Sequence, residues 1–276
     1  GKGGAPMLKD ITIGQYFPGK SLVHRMDPRM KIILVILYIV MLFTGDNVGS
    51  LIVGIFFLLI AYPVSKIPMK MVAKGVKPVI PIILFTAVLN MLFVDGKVLW
   101  SWWVFKLTQE GIQLAVMMAV RIVCLIAGTS LLTYTTSPIA LTDAIERLLS
   151  PLKKLNLPVH ELAMMMTIAL RFIPTLIEET DKIISAQKAR GADMESGSII
   201  DRAKAMIPIL IPLFVSAFRR AEELALAMEC RCYRGGEGRT RMKQLHLCGI
   251  DFVGLAFVVF CFALTLITNT LLPSMF

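Results

Sequence analysis

An apolar run from Gly249 to about Leu271 is long enough to cross a hydrocarbon core of roughly 30 Å at 1.5 Å per residue. Four more apolar runs precede it, at about 30–43, 48–62, 78–94 and 111–134. Composition agrees: 56% of the 276 residues are hydrophobic and mean hydropathy is +0.73. A soluble domain holds roughly 45–50% apolar residues even with glycine counted. The expected product is an all-α integral membrane protein with about five transmembrane helices.

Lys and Arg set its orientation. His24, Arg25, Arg29 and Lys31 precede the first run, and a loop with Lys66, Lys70, Lys74 and Lys77 follows the second; both are expected in the cytoplasm. The turn at 44–48 has no Lys or Arg and is expected outside. Trp100, Trp102, Trp103 and Phe105 read as a boundary loop, since Trp collects at membrane interfaces. Five crossings put the N-terminus in the cytoplasm and the C-terminus outside. The net charge of +10 fits cytoplasmic loops and anionic headgroups. The basic residues are scattered among apolar spans without an aromatic platform, which argues against nucleic acid.

Residues 136–246 break the pattern. They alternate apolar patches with dense charge of both signs, and their apolar stretches are short or carry Pro174, Pro208 and Pro212. Three helices are expected, at about 138–155, 159–190 and 199–233, lying at the interface or dipping partway in. Gly191 and Gly235-Gly236 suit the C-terminal caps of the last two. The expected division is a tag remnant at 1–6 ahead of Met7, a four-span domain at 7–135, interfacial helices at 136–246 and a final span at 247–276.

Two helix ends in that central region carry the same pattern. Ala186-Gln187-Lys188-Ala189-Arg190-Gly191 is echoed by Ala227-Met228-Glu229-Cys230-Arg231-Cys232, with Tyr233-Arg234-Gly235-Gly236 behind. Each follows an Ile-Pro pair and a Glu-Glu pair (173–174 and 178–179; 211–212 and 222–223). Arg near a helix C-terminus is favoured by the macrodipole, and its planar fork binds carboxylates at two points. Small neighbours let another surface approach. One copy alone would read as a cationic cap beside lipid headgroups; two copies suggest two similar partner surfaces.

The N-terminal segment adds specificity. It reads Gly14-Gln15-Tyr16-Phe17-Pro18-Gly19-Lys20-Ser21, then His24-Arg25-Met26-Asp27-Pro28-Arg29-Met30-Lys31. With the paired Arg motifs, it resembles the transmembrane T component of energy-coupling factor (ECF) vitamin importers, over nearly the whole chain from Met7. The resemblance implies long cytoplasmic-side coupling helices in an L-shaped arrangement with the spans. It implies two ABC-type ATPase partners, a heterodimer, and one exchangeable membrane S subunit that binds the vitamin. ATP and Mg would be bound by those ATPases, with no cofactor in this chain. Ala189, Arg190 and Gly191 match the family's docking motif in full; Cys230, Arg231 and Cys232 keep the Arg and replace both neighbours. The apolar helices ahead of the motifs would form the platform for the S subunit, with Met164, Met165, Met166, Leu210 and Phe214 as candidates. Met suits a surface that accepts different partners, and equally an ordinary packed or lipid-facing cluster.

Other functions have less support. No Gly-x-x-x-x-Gly-Lys-Ser/Thr loop is present, so the chain is not expected to hydrolyse ATP. His24, His160 and His246 are dispersed. Glu178, Glu179 and Asp181 are interleaved with Lys182 and Lys188, as on a solvated helix face. Cys230 and Cys232 lack zinc-site spacing, and no metal site is expected. A stand-alone secondary transporter would show paired halves or several ionisable groups at mid-membrane, where only Arg121 qualifies as an intramembrane functional candidate. Asp27-Pro28-Arg29 reads as a structural turn. A dedicated cobalt or nickel importer has a related T component and is the main alternative.

Overall fold

Helix boundaries in the computed structural model fall where the sequence supplies caps. Residues 16–45, 47–93, 98–102, 105–151, 158–192, 198–235 and 245–271 are described. A short α1 (Leu22–Arg25) leads into α2 (Pro28–Thr44), where Asp27 caps the helix by accepting from the Arg29 amide at 2.9 Å and Pro28 fills the first turn. Helix α3 (Val48–Ser65) starts at Asn47, whose amide donates to Ser50 Oγ at 3.3 Å. Helix α4 (Met69–Val76) passes through a 3-10 turn into α5 (Ile80–Phe93). A hairpin of β1 (Val98–Trp102) and β2 (Phe105–Thr108) follows, then α6 (Gln109–Thr135) and α7 (Pro138–Leu149). Helices α8 (Val159–Ala189), α9 (Ile199–Cys230) and α10 (Gly249–Leu271) complete the order.

The described residues pack as two compact units, divided within α7. The first holds residues 16–141 and 245–271. Its centre is Tyr38 of α2, fully buried and stacked on Phe57 of α3 at 4.7 Å between ring centroids; Phe57 stacks in turn on Phe257 of α10 at 5.6 Å. The ring of Tyr38 lies against Gly128 of α6, where a Cβ would stand 2.3 Å from a ring carbon, so only glycine fits. Tyrosine hydroxyls tie helices together through backbone carbonyls: Tyr38 donates to Cys124, Tyr62 to Ala127 at 2.8 Å and Tyr134 to Met71 at 3.0 Å.

Helices α2 and α6 run antiparallel. Lys31 Nζ donates to the Thr135 carbonyl at 3.0 Å at one end, and Arg121 meets Gly45 at the other. From Arg121 back to its start, α6 extends about 18 Å further at 1.5 Å per residue. The end of α5 follows it there, with the Asn90 carbonyl against Gly111.

A buried charge cluster closes the Lys31 end. Asp251, in the first turn of α10, is fully buried and accepts from the Asp27 amide at 2.9 Å and the Cys248 amide at 2.7 Å. Asp27 also holds the Arg29 guanidinium at 2.7 Å, and Arg29 reaches the Leu245 carbonyl at 3.3 Å. The Asp27-Pro28-Arg29 turn therefore joins the first long helix to the last.

The second unit holds residues 142–235. Helices α8 and α9 lie antiparallel along their length. Gln187 meets Pro208, Glu179 holds Arg220 at 2.7 Å, and Met164 and Ile168 face Leu224 and Met228 across a groove. His160 and Glu146, 3.0 Å apart, tie α8 to α7.

Among the described residues, five helical segments are long and apolar enough to cross a membrane: α3, the continuous path Met69–Phe93, α6, α8 and α10. The set differs from the expected one at two places. Helix α2 has 17 residues, about 25 Å of rise. Helix α8, expected at the interface, has 31 residues and an apolar stretch of sufficient length and composition. Two local expectations also change. The four-Lys loop is largely helix α4: Lys70, Lys74 and Lys77 recur at helical spacing on an exposed face, while Met71 and Val72 pack towards Tyr62 and Leu131. Part of the Trp-rich boundary loop is the β1–β2 hairpin, in antiparallel register from Val98 opposite Thr108 to Trp102 opposite Phe105, as its β-branched and aromatic content favours. Trp103 lies outside the described residues.

Candidate functional site

The two Arg motifs end their helices with the same hydrogen-bonded cap. At the end of α8, Gly191 has φ +84°; its amide donates to the Lys188 carbonyl at 3.0 Å and the Ala192 amide reaches back to Gln187 at 3.0 Å. At the end of α9, Cys232 has φ +54°; its amide donates to Glu229 at 2.8 Å and the Tyr233 amide to Met228 at 3.1 Å. Both are Schellman motifs, with paired 6→1 and 5→2 bonds around a left-handed residue. Arg190 and Arg231 occupy the identical position, the last before the turn, with backbone angles of −82°, 2° and −92°, 12°. Ala189, Arg190 and Gly191 are exposed, as are Cys230, Arg231 and Cys232.

This corrects the expected cap of α9. The helix ends at Cys230, and the left-handed residue is Cys232 rather than Gly235. Gly235 has φ +86° but stands in the segment beyond. A cysteine in that conformation costs about 1–2 kcal/mol relative to its preferred backbone region. The closing bonds and the packing of Tyr233 beside Met228 offset that cost. Replacing Gly by Cys thus leaves the cap geometry unchanged.

Antiparallel pairing puts the two caps at opposite ends of the α8–α9 pair. Met164 stands by the Arg231 end, and the length of α8 from there to Arg190 separates the two ends by about 40 Å at 1.5 Å per residue. At the Arg231 end lies a groove of about 610 Å³. Met164, Ile168, Leu224 and Met228 line it, and Arg231 and Arg234 contribute cationic groups.

The other candidates separate by environment. Met164 is half-buried in that groove, whereas Met165 and Met166 are exposed, because a helix turns successive residues by about 100°. Leu210 and Phe214 are exposed on α9 beside Met206, Ile207 and Ile211, while Ile209 is buried. Arg121 is buried, and its Nη2 donates to the carbonyl of Gly45, the residue that caps the end of α2. A cation there is favoured by the α2 dipole, so Arg121 acts as a tie between helices. Sequence reading did not single out Asp251 or Gln187. A lone acid opening an otherwise apolar span, and a proline four residues after another in α9, were the available signals.

Comparison with known proteins bears on the family. A family model described as CbiQ, cobalt transport protein, matches residues 19–242, including both Arg caps. The chain belongs to the CbiQ family. Among CbiQ-family relatives, the chain is 58% identical over 245 residues to the energy-coupling factor transporter transmembrane protein EcfT of Ruminiclostridium cellulolyticum, covering 89% of this chain and 92% of the relative. It is 55% identical over 262 residues to EcfT of Clostridium kluyveri (94% and 97%) and 50% identical over 246 residues to EcfT of Bacillus subtilis (89% and 93%). This CbiQ-family chain is thus grouped with the multi-pass transmembrane components of energy-coupling factor transporters.

Proposed function

We propose that the chain is the non-catalytic coupling subunit of an ECF-type importer in a bacterial cell membrane. It links ATP binding and hydrolysis by two partner ATPases to uptake of a vitamin or other micronutrient by an exchangeable S subunit. The observation that carries this reading is the pair of matching Arg caps at opposite ends of one helix pair. Matching caps suit two similar partner surfaces, and the separation of about 40 Å suits two partners side by side, each gripping one end. The names of the EcfT relatives, transmembrane proteins of energy-coupling factor transporters, support a membrane component of such a transporter.

In this mechanism, ATP binding draws the ATPases together and each carries its docked cap with it. Arg190 and Arg231 transmit the movement because a guanidinium held at two points resists sliding. The helices then shift the exposed apolar faces of α8 and α9, including Met165, Met166, Leu210 and Phe214, against which the S subunit changes orientation. ATP and Mg stay with the partners. Both caps and the N-terminus face the cytoplasm, and the C-terminus lies outside. The family description, cobalt transport protein, favours a second reading in which the same machinery serves a cobalt or nickel system; the similar relatives are named as energy-coupling factor transporter transmembrane proteins, the system to which the Arg and N-terminal motifs point.

The test is purification from native membranes in mild detergent, with the wild type and with Arg190→Glu combined with Arg231→Glu. Two ATPases should accompany the wild type in stoichiometric amount and leave the double variant, while small membrane proteins stay bound. ATPases retained by the double variant would remove the Arg caps from the docking role.

A further inference from the structure

Pro212 has no backbone N–H, so the α9 carbonyl four residues earlier, that of Pro208, cannot close its helical bond. Gln187 of α8 takes that place, with Nε2 donating to the Pro208 carbonyl at 3.3 Å. Only the amide nitrogen can face a carbonyl oxygen, which fixes how the side chain is turned. The backbone carbonyl of Gln187 accepts from the Ala192 amide at 3.0 Å, the 6→1 bond of the Schellman cap, and from the Arg190 amide at 3.1 Å in the last helical turn. One residue thus holds the Arg190 end through its main chain and the proline segment of α9 through its side chain.

Between and just beyond these prolines lies the exposed apolar face that includes Leu210, Ile211 and Phe214, with Ile209 buried behind it. Freed carbonyls at helix prolines are where bends are set and where a neighbouring side chain can hold one geometry. The helix pair does not depend on this bond for its cohesion, because Glu179–Arg220 and the apolar contacts around Ile168 and Leu224 also join it.

We infer that Gln187 is a positioning residue for coupling, passing displacement of the Arg190 cap to the Pro208–Pro212 segment and so to the apolar face of α9. This rests on the docking role proposed above. One neutral hydrogen bond biases an equilibrium between two arrangements about five-fold.

The experiment uses the whole complex, with its ATPases and a riboflavin-binding S subunit, in proteoliposomes. Uptake of tritiated riboflavin is measured per ATP hydrolysed. Gln187→Leu removes the donor at similar volume. The complex and its ATP hydrolysis should persist while uptake per ATP falls about five-fold. Pro212→Ala gives α9 its own N–H for the Pro208 carbonyl and displaces Gln187, so it should uncouple to a similar degree, and the double variant should be no worse than either. Unchanged uptake per ATP in Gln187→Leu would overturn the inference and leave docking intact. Restored coupling in the double variant would also overturn it, since Gln187 would then merely satisfy a carbonyl. Loss of the ATPases from Gln187→Leu would assign the residue to docking instead. Failure of the docking reading itself would show as an absence of ATPases from the wild-type preparation.

Discussion

At the scale of single residues, Cys232 carries the clearest prediction. It holds a left-handed conformation that Gly191 holds without strain in the equivalent cap. Cys232→Gly should therefore raise stability by about 0.5–1 kcal/mol, the relief of strain less the extra freedom of glycine when unfolded. Thermal melting in detergent measures it, and ATPase docking should be unchanged. A drop in melting temperature would show that the thiol contributes packing that the backbone geometry does not require. The pairing of the caps was legible in sequence through Arg, small neighbours and Gly191. The true end of α9 was not, because a cysteine gives no sign of a left-handed turn, while two glycines three positions on offer a false one.

At the scale of elements, the charge cluster at the start of α10 governs how the first unit closes. Asp251 accepts two backbone N–H groups in a fully buried position. Asp251→Ala should cost about 2–5 kcal/mol, because both donors and the neighbouring charges lose their partner. Asp251→Asn keeps one acceptor oxygen and should cost less. The melting temperatures should rank wild type, Asn, Ala; equal values for wild type and Ala would dismiss the cluster as a fastener. The positions of α3, α5, α6 and α10 were legible because uninterrupted apolar runs dictate helices in a bilayer. Amphipathic α4 was hidden because its lysines resemble a loop until their three- and four-residue spacing is read as a face. Partners such as Asp27 and Asp251 were not legible, since nothing in either local sequence points across the chain.

At the scale of the whole molecule, α8 poses a choice that the helix pairing sharpens. Its length and composition suffice to cross a membrane. If it crossed, antiparallel pairing would put Arg190 and Arg231 on opposite sides, and two cytoplasmic ATPases could not hold both. Docking therefore requires α8 and α9 to lie along the cytoplasmic side. The thiols of Cys230 and Cys232 are exposed at one end, and Lys188→Cys places a thiol at the other. With Cys248, also exposed, replaced by Ser, an impermeant maleimide should label both ends in inside-out vesicles and neither in intact cells. Labelling of the two ends from opposite sides would put α8 across the bilayer and dismiss the two-ended grip.

The bond between Asp27 and Asp251 joins residues 224 positions apart. A ribosome delivers the chain from its N-terminus at about 5–20 residues per second, so the first long helix waits roughly 10–45 s for this fastener to be synthesised. During that interval the turn at Asp27 is an open seam, and a nascent chain stopped before α10 cannot seal it. Quality-control proteases that survey a membrane would meet that seam in every truncated copy and lose it in every finished one.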